Sequence, residues 1–294
     1  MTSQTNTDSP RGLAFAVTAY FLWGFLPLYL KLVDHIPAIE VVAHRVIWSV
    51  PVAGLVLILL RRTKDLREAL LNPRMLLMAC VTAALISVNW GIYVWAISVD
   101  RTVDAALGYY INPLFSVAMG AVLLGERPNR TQLVAIALAA FAVLIIFVAA
   151  PRPPWIPISL MVSWGFYAYF KKSLPIGPNQ GFMLEVLILS IPSLGYLIWL
   201  GPEGNFMSNT NDMWLLMGCG LVTAVPLLIY ANGAKLLRLS TIAILQYIAP
   251  TMIFLVAVFA FGEEVDPARQ VAFPLIWAAL VIYSVPLIRQ MRQT

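Results

Sequence analysis

Charge is scarce in this chain: Asp, Glu, Lys and Arg make up 11% of its 294 residues, against 61% apolar. Mean hydropathy is +0.83. Soluble domains carry about 25% charged residues, so a water-soluble core is excluded and a bilayer is the solvent that fits. Histidine is limited to His35 and His44, and cysteine to Cys80 and Cys219, both inside apolar runs. That leaves no disulfide framework and no metal cluster, so neither metal nor cofactor is expected and the cysteines read as small packing residues. No G-x-x-x-x-G-K-[ST], H-E-x-x-H, C-x-x-C or G-x-S-x-G string occurs, which argues against an ATP-driven pump and the commoner hydrolases. An intramembrane enzyme is disfavoured too, because no acid pair with catalytic spacing lies deep in the apolar runs. The net charge of +5 does not suggest nucleic acid, since the basic residues sit between apolar stretches and form no continuous face.

What remains is hydrocarbon-length segments. A helix needs about 20 apolar residues to cross about 30 Å of membrane core. Ten runs qualify, at roughly 12–33, 38–60, 73–99, 103–124, 130–150, 155–174, 179–200, 212–236, 240–261 and 268–289. The breaks between them are short and carry turn chemistry or charge, as at Asp34-His35-Ile36-Pro37, Arg61-Arg62-Thr63-Lys64 and Pro151-Arg152-Pro153-Pro154. The first run lacks an A-x-A-like exit, so the segment is expected to stay as a span. Lys and Arg resist translocation in short loops. Placing both termini in the cytoplasm puts 14 of the 19 basic residues inside and only Lys31, Arg101, Arg152 and Arg269 outside, with Arg45 within the second span.

The chain repeats itself. At a shift of 137, residues 89–126 lie on 226–263 without a gap, with nine identities in 38 positions. Tyr110-Ile111-x-Pro113 matches Tyr247-Ile248-x-Pro250, and Gly125-Glu126 matches Gly262-Glu263 at the same distance. Trp23-Gly24-Phe25 matches Trp164-Gly165-Phe166 at a shift of 141. These matches divide the chain into a tail at 1–11, a five-helix repeat at 12–150, a second at 151–289, and a tail at 290–294. Five is odd, so the second copy enters from the opposite side, an inverted repeat of the kind many secondary transporters use. A duplicated structural bundle without transport is the alternative.

Ionisable groups inside spans cost about 2.5–3.5 kcal/mol each on insertion scales and usually face protein or water. Arg45 in the second span either contacts a ligand, snorkels outward, or pairs with Glu40. His44 is a titratable candidate or a packed neighbour. Glu185 near the start of span seven either complements the helix N-terminus or couples protons. Asn89, Tyr93 and Ala96 share a face of span three, and Pro226, Tyr230 and Gly233 share the equivalent face of span eight, expected to oppose it across the pseudo-symmetry axis. Tyr109, Tyr110, Asn112 and Pro113 cluster in span four, with Gln246, Tyr247 and Pro250 at the same level of span nine. These groups build either an aromatic and amide pocket for a small organic molecule or interhelical glue. Trp23, Trp90, Trp95 and Trp164 are less specific. Glu126 and Glu263 each end a span, as gate locks paired with Lys or Arg or as solvated helix ends.

The strings Trp23 through Tyr29, Glu40 through Ser49, Asn89-Trp90, Leu107 through Arg127, Pro154-Trp155-Ile156 and Gln246 through Glu264 resemble the RarD group of the EamA family, in the drug/metabolite transporter superfamily. The resemblance spans nearly the whole chain. It implies an all-α integral membrane protein of ten helices in two inverted halves, a permease of the bacterial cytoplasmic membrane, with spans five and ten peripheral to the central cavity. RarD-like proteins are commonly described as chloramphenicol-sensitivity permeases, and similar superfamily members export amino acids or other metabolites. The expectation is a secondary transporter of a small zwitterionic or anionic metabolite, with membrane lipid as its other partner. A non-transporting sensor or scaffold is the alternative. Proton coupling through Glu185 or Glu40 and facilitated diffusion fit equally well.

Overall fold

The computed structural model describes residues 9–123, 130–149, 153–234, 236–237, 242 and 245–293. No strand occurs among the described residues. In hydrocarbon each backbone N–H and C=O needs a partner within its own segment, and the helix supplies it. The helices are α1 Pro10–Lys31, α2 Ala38–Leu59, α3 Thr63–Leu70, α4 Pro73–Ser98, α5 Thr102–Leu123, α6 Arg130–Ala149, α7 Trp155–Ser173, α8 Pro178–Leu200, α9 Thr210–Ala234, α10 Ile248–Leu255 and α11 Pro267–Gln293. Two 3-10 turns, Gly201–Glu203 and Asn205–Met207, join α8 to α9, and a π turn over Val256–Ala260 extends α10. Proline opens α1, α4 and α8, where its missing N–H costs no hydrogen bond. Asn72 completes the start of α4 by accepting from the backbone N–H of Arg74 and Met75 at 3.1 and 3.2 Å.

Helix ends fall within a few residues of the expected apolar runs, with two differences. The break at 61–72 contains the short helix α3, which the hydrocarbon-length search overlooked because eight residues cannot span a bilayer. Its Leu66 and Ala69 pack with Ala79 and Leu184, while Lys64, Arg67 and Glu68 stay exposed. Of the run expected over 240–261, the described helix is α10 with its π turn.

Among the described residues seven helices, α1, α2, α4, α6, α8, α9 and α11, are long and apolar enough to cross a membrane. Val122, Val148, Ile198, Trp199 and Phe259 point outward, each 76–82% exposed. Apolar surface on that scale is unstable in water and ordinary in lipid. The packing partners are specific. Helix α1 lies on α9 and α10, α7 on α4 and α5, α2 on α8 and α9, α8 also on α4, α5 on α10, and α6 on α11.

One end of the bundle is laced by polar contacts. Lys31 reaches Asp100 at 2.6 Å and Asp34 at 3.1 Å, His35 meets Asp212 at 3.2 Å, and Asp104 accepts from Arg101 at 2.7 Å and Arg269 at 3.0 Å. Arg269 also pairs with Asp266. At the other end Gln180 donates to Asp65 at 2.9 Å and the Ser9 N–H to the Leu236 carbonyl at 3.2 Å.

The α2–α9 crossing depends on Gly220, where a Cβ would strike the backbone of Trp48. Gly220→Ala is expected to cost about 1–3 kcal/mol through overpacking. Thermal unfolding in detergent checks this, with Gly195→Ala as the control because no atom lies within 4 Å of a Cβ there.

Candidate functional site

Arg45 lies seven residues into α2, about 10 Å below its first residue at about 1.5 Å rise per residue, and is 2% exposed. Its Nε donates to Thr223 Oγ1 on α9 at 2.9 Å, and its Cζ sits 5.0 Å from the centre of the Trp90 ring on α4. The Thr223 hydroxyl donates to the Cys219 carbonyl at 2.7 Å, which turns an oxygen lone pair toward the guanidinium. Arg45 Nη1 is buried without a partner. A cation over a desolvated indole gains about 2 kcal/mol. Glu40 does not share the charge, because Asn205 occupies its carboxylate through its N–H at 2.6 Å and its Nδ2 at 2.8 Å. Pairing with Glu40 and outward snorkelling are thus both replaced by a buried cation held by neutral groups from two other helices, α4 and α9.

Beside Arg45 stands an aromatic and amide wall. Asn89 Nδ2 donates to the Leu160 carbonyl at 3.1 Å and to Ser163 Oγ at 3.0 Å, and Asn89 Oδ1 accepts from the Tyr109 hydroxyl at 2.9 Å. The Tyr109 ring meets Tyr93 at 5.6 Å and Trp164 at 6.2 Å, and Trp164 meets Tyr167 at 5.6 Å. Tyr93 and Tyr109 are close enough to interact electrostatically with Arg45. The Tyr93 hydroxyl and Asn112 Oδ1 are buried without partners.

Of the residues singled out in the sequence, Arg45, Asn89 and Tyr93 thus come together. Tyr230 makes a separate aromatic group with Tyr20 at 5.5 Å and Trp23 at 5.4 Å. The Asn89 and Tyr230 faces therefore pack on different helices, α4 on α7 and α9 on α1. Tyr110 and Tyr247 lie elsewhere, lining a groove of about 490 Å³ between α5, α10 and α11 with Thr251, Phe254 and Trp277. The Tyr110 hydroxyl donates to Thr251 Oγ1 at 2.8 Å. Neighbouring residues point about 100° apart on a helix, so Tyr109 and Tyr110 cannot both face Arg45. Gln246 lies in the turn before α10.

The coupling and gating candidates are dispersed. His44 stacks on Phe206 at 4.9 Å, and both of its ring nitrogens are buried without partners. Glu185 pairs with Lys171 at 2.6 Å and accepts from the Tyr167 hydroxyl at 3.2 Å. Glu126 lies outside the described residues. Glu263 pairs with no Lys or Arg in the described contacts: its carboxylate accepts the Thr102 and Val103 N–H groups at 2.8 and 2.9 Å. It thereby caps α5 from the α10–α11 connection, placing negative charge on that helix's positive end. Sequence reasoning missed Thr223, Ser163 and Phe206. Small hydroxyls inside apolar runs were an available signal for the first two, whereas Phe206 sits in a connection with no periodicity.

Residues 10–148 match the EamA-like transporter family. Among curated proteins, Protein RarD of Streptomyces exfoliatus is 42% identical over 99% of this chain and 93% of its own length. An uncharacterized transporter of Vibrio cholerae is 39% identical over 95% and 93%, and Protein RarD of Escherichia coli K12 is 36% identical over 97% of each. A solved crystal structure superposes with a TM-score of 0.66 over 96% of this chain and 99% of that one, at 18% identity, which speaks for the fold alone. Fold, buried polar site and relatives together define a multi-pass membrane transporter, and not an enzyme. The chain belongs to the EamA-like transporter family, as a RarD-like member of the drug/metabolite transporter superfamily.

Removing the Glu263 cap tests its structural weight. Glu263→Ala is expected to destabilise the fold by about 1 kcal/mol, read as a lower thermal midpoint in detergent, while the exposed Glu264→Ala leaves it unchanged.

Proposed function

We propose that this protein is a secondary transporter that moves a small carboxylate-bearing metabolite across the bacterial cytoplasmic membrane by alternating access around Arg45. The observation that carries the reading is the buried guanidinium with a free Nη1 and no carboxylate partner. A charge kept in the bilayer at such cost without a protein counter-ion is suited to receiving one from a ligand. Tyr93 supplies a second donor, Asn112 an acceptor, and Trp90, Tyr109 and Trp164 the walls. Asn89 holds Tyr109 in place. Tyr230 with Tyr20 and Trp23 forms a second wall, and Tyr110, Gln246 and Tyr247 belong to the α5–α10 seam.

In this reading the chain has ten spans, both termini in the cytoplasm, and two inverted halves at 12–150 and 151–289. Its packing supports the inversion. Exchanging α1, α2, α4, α5 and α6 for α7, α8, α9, α10 and α11 turns the α1–α9 contact into α7–α4, α1–α10 into α7–α5 and α2–α9 into α8–α4. The contacts α2–α8, α5–α10 and α6–α11 map onto themselves. Such a set lets each half adopt the other's arrangement, which is what alternating access requires. Glu263 and the salt bridges around Asp104 then hold the outer end shut, with Glu126 as the sequence counterpart at the inner end. His44, stacked under Phe206, belongs to that outer closure. Glu185 is the coupling group: Tyr167 links it through Trp164 to the Tyr109 wall.

Counterflow into liposomes holding the purified protein tests this with labelled carboxylate metabolites. Arg45→Ala is expected to lose at least about tenfold of the exchange, as for a buried charge deprived of its partner, and Arg45→Lys to keep part of it. Full exchange by Arg45→Ala would move the site elsewhere. Glu185→Gln is expected to keep exchange but lose its acceleration by a pH gradient; an unchanged gradient response assigns Glu185 to the framework.

A further inference from the structure

We infer that the transported species is a net anion, a monocarboxylate with a flat apolar body, and that its transport moves charge. The inference rests on Arg45 being the substrate site and goes further, because it excludes a zwitterion as the preferred cargo. A zwitterion needs two opposite charges met in the protein. Among the described contacts none places a carboxylate beside Arg45.

The buried carboxylates among the described residues are Glu40, Asp104, Glu185 and Asp212. Each is occupied. Asn205 holds Glu40 at 2.6 and 2.8 Å. Arg101 and Arg269 hold Asp104 at 2.7 and 3.0 Å. Asn209 holds Asp212 at 2.7 Å, with His35 at 3.2 Å and Ser208 at 3.3 Å. Lys171 and Tyr167 hold Glu185 at 2.6 and 3.2 Å. Three of these acids sit at the end of the bundle where the α1–α2, α4–α5 and α8–α9 connections meet, and the fourth in the α7–α8 contact. None is left to meet a substrate ammonium beside Arg45.

The unmatched groups beside Arg45 point the other way. Arg45 Nη1 and the Tyr93 hydroxyl are buried donors without acceptors, on residues 2% and 4% exposed. Two donors without acceptors call for an acceptor-only group, and a carboxylate is one. The unmatched acceptor on the neighbouring helix face is neutral, Asn112 Oδ1. One neutral oxygen serves a substrate hydroxyl or amide N–H but does not compensate the desolvation of an ammonium. The remaining walls are the ring faces of Trp90, Tyr93, Tyr109 and Trp164, which suit a planar apolar body. With proton coupling removed by Glu185→Gln, a net anion crosses with its charge, whereas a zwitterion crosses without moving charge.

Three probes with one body separate these cases: 3-phenylpropanoate, phenylalanine and 3-phenylpropanamide, titrated calorimetrically against the detergent-solubilised protein and then tested in proteoliposomes. The expected result is 3-phenylpropanoate binding at least about tenfold more tightly than the other two, with that gap lost in Arg45→Gln and reduced in Tyr93→Phe. An interior-positive potassium diffusion potential set with valinomycin is expected to accelerate its uptake by the uncoupled Glu185→Gln variant, and an unchanged rate overturns the movement of charge. Phenylalanine bound as tightly as 3-phenylpropanoate, with both lost in Arg45→Gln, overturns the anion preference and leaves Arg45 in the site. Equal binding by wild type and a folded Arg45→Gln variant overturns the Arg45 reading itself. No binding of any probe by folded protein overturns the flat-body class.

Discussion

A polar group inside hydrocarbon has no water to bond, and the architecture of this protein follows from that constraint. It forces the backbone into helices, drives the acids to partners at the bundle ends or between helices, and makes the condition of Arg45 informative. Lys31, Arg101, Lys171 and Arg269 all have carboxylates in contact. Arg45, which is 2% exposed, has a threonine hydroxyl and an indole face. Those neighbours hold the guanidinium in place without neutralising it, so a positive charge is kept in the interior of the bundle.

Around that charge the protein is held unevenly. The end that carries Lys31 is fastened by ion pairs, by the Glu263 cap on α5 and by Asn205 and Phe206 seated against Glu40 and His44 on α2. Five of these contacts tie residues 10–149 to residues 153–293: His35–Asp212, Asp104–Arg269, the Glu263 cap, Glu40–Asn205 and His44–Phe206. The interior beside Arg45 is different: hydroxyls, amides and aromatic rings predominate, with Arg45 Nη1 and the Tyr93 hydroxyl unmatched among the described residues.

Membership of the EamA-like transporter family fixes the class of activity and leaves the cargo open, since fold and family are shared by proteins with different substrates. The cargo therefore has to be argued from individual groups, and Tyr109 illustrates how. Its hydroxyl is taken by Asn89, so it contributes a face rather than a donor, while the neighbouring Tyr93 keeps its hydroxyl unpaired.

The long apolar helices, the match of residues 89–126 to 226–263 and the isolation of Arg45 were all legible in the amino-acid sequence, because bilayer thickness sets helix length and a lone arginine in a long apolar run is conspicuous. The same reading anticipated Asn89 and Tyr93 on one face, which the 3.6-residue period places together. Partners were not legible. Nothing in the order of residues says that Glu40 is bound by Asn205, 165 positions away, or that Glu263 caps α5 through Thr102 and Val103. Tyr110 and Tyr247 carry a strong repeat signal yet line the α5–α10–α11 groove, because a repeat in the sequence marks matched positions and not proximity to Arg45. Periodicity and hydropathy are local properties and determine which segments cross and which way each face points; the choice of which faces meet is made by packing between helices distant in the chain, and only the tertiary structure decided it.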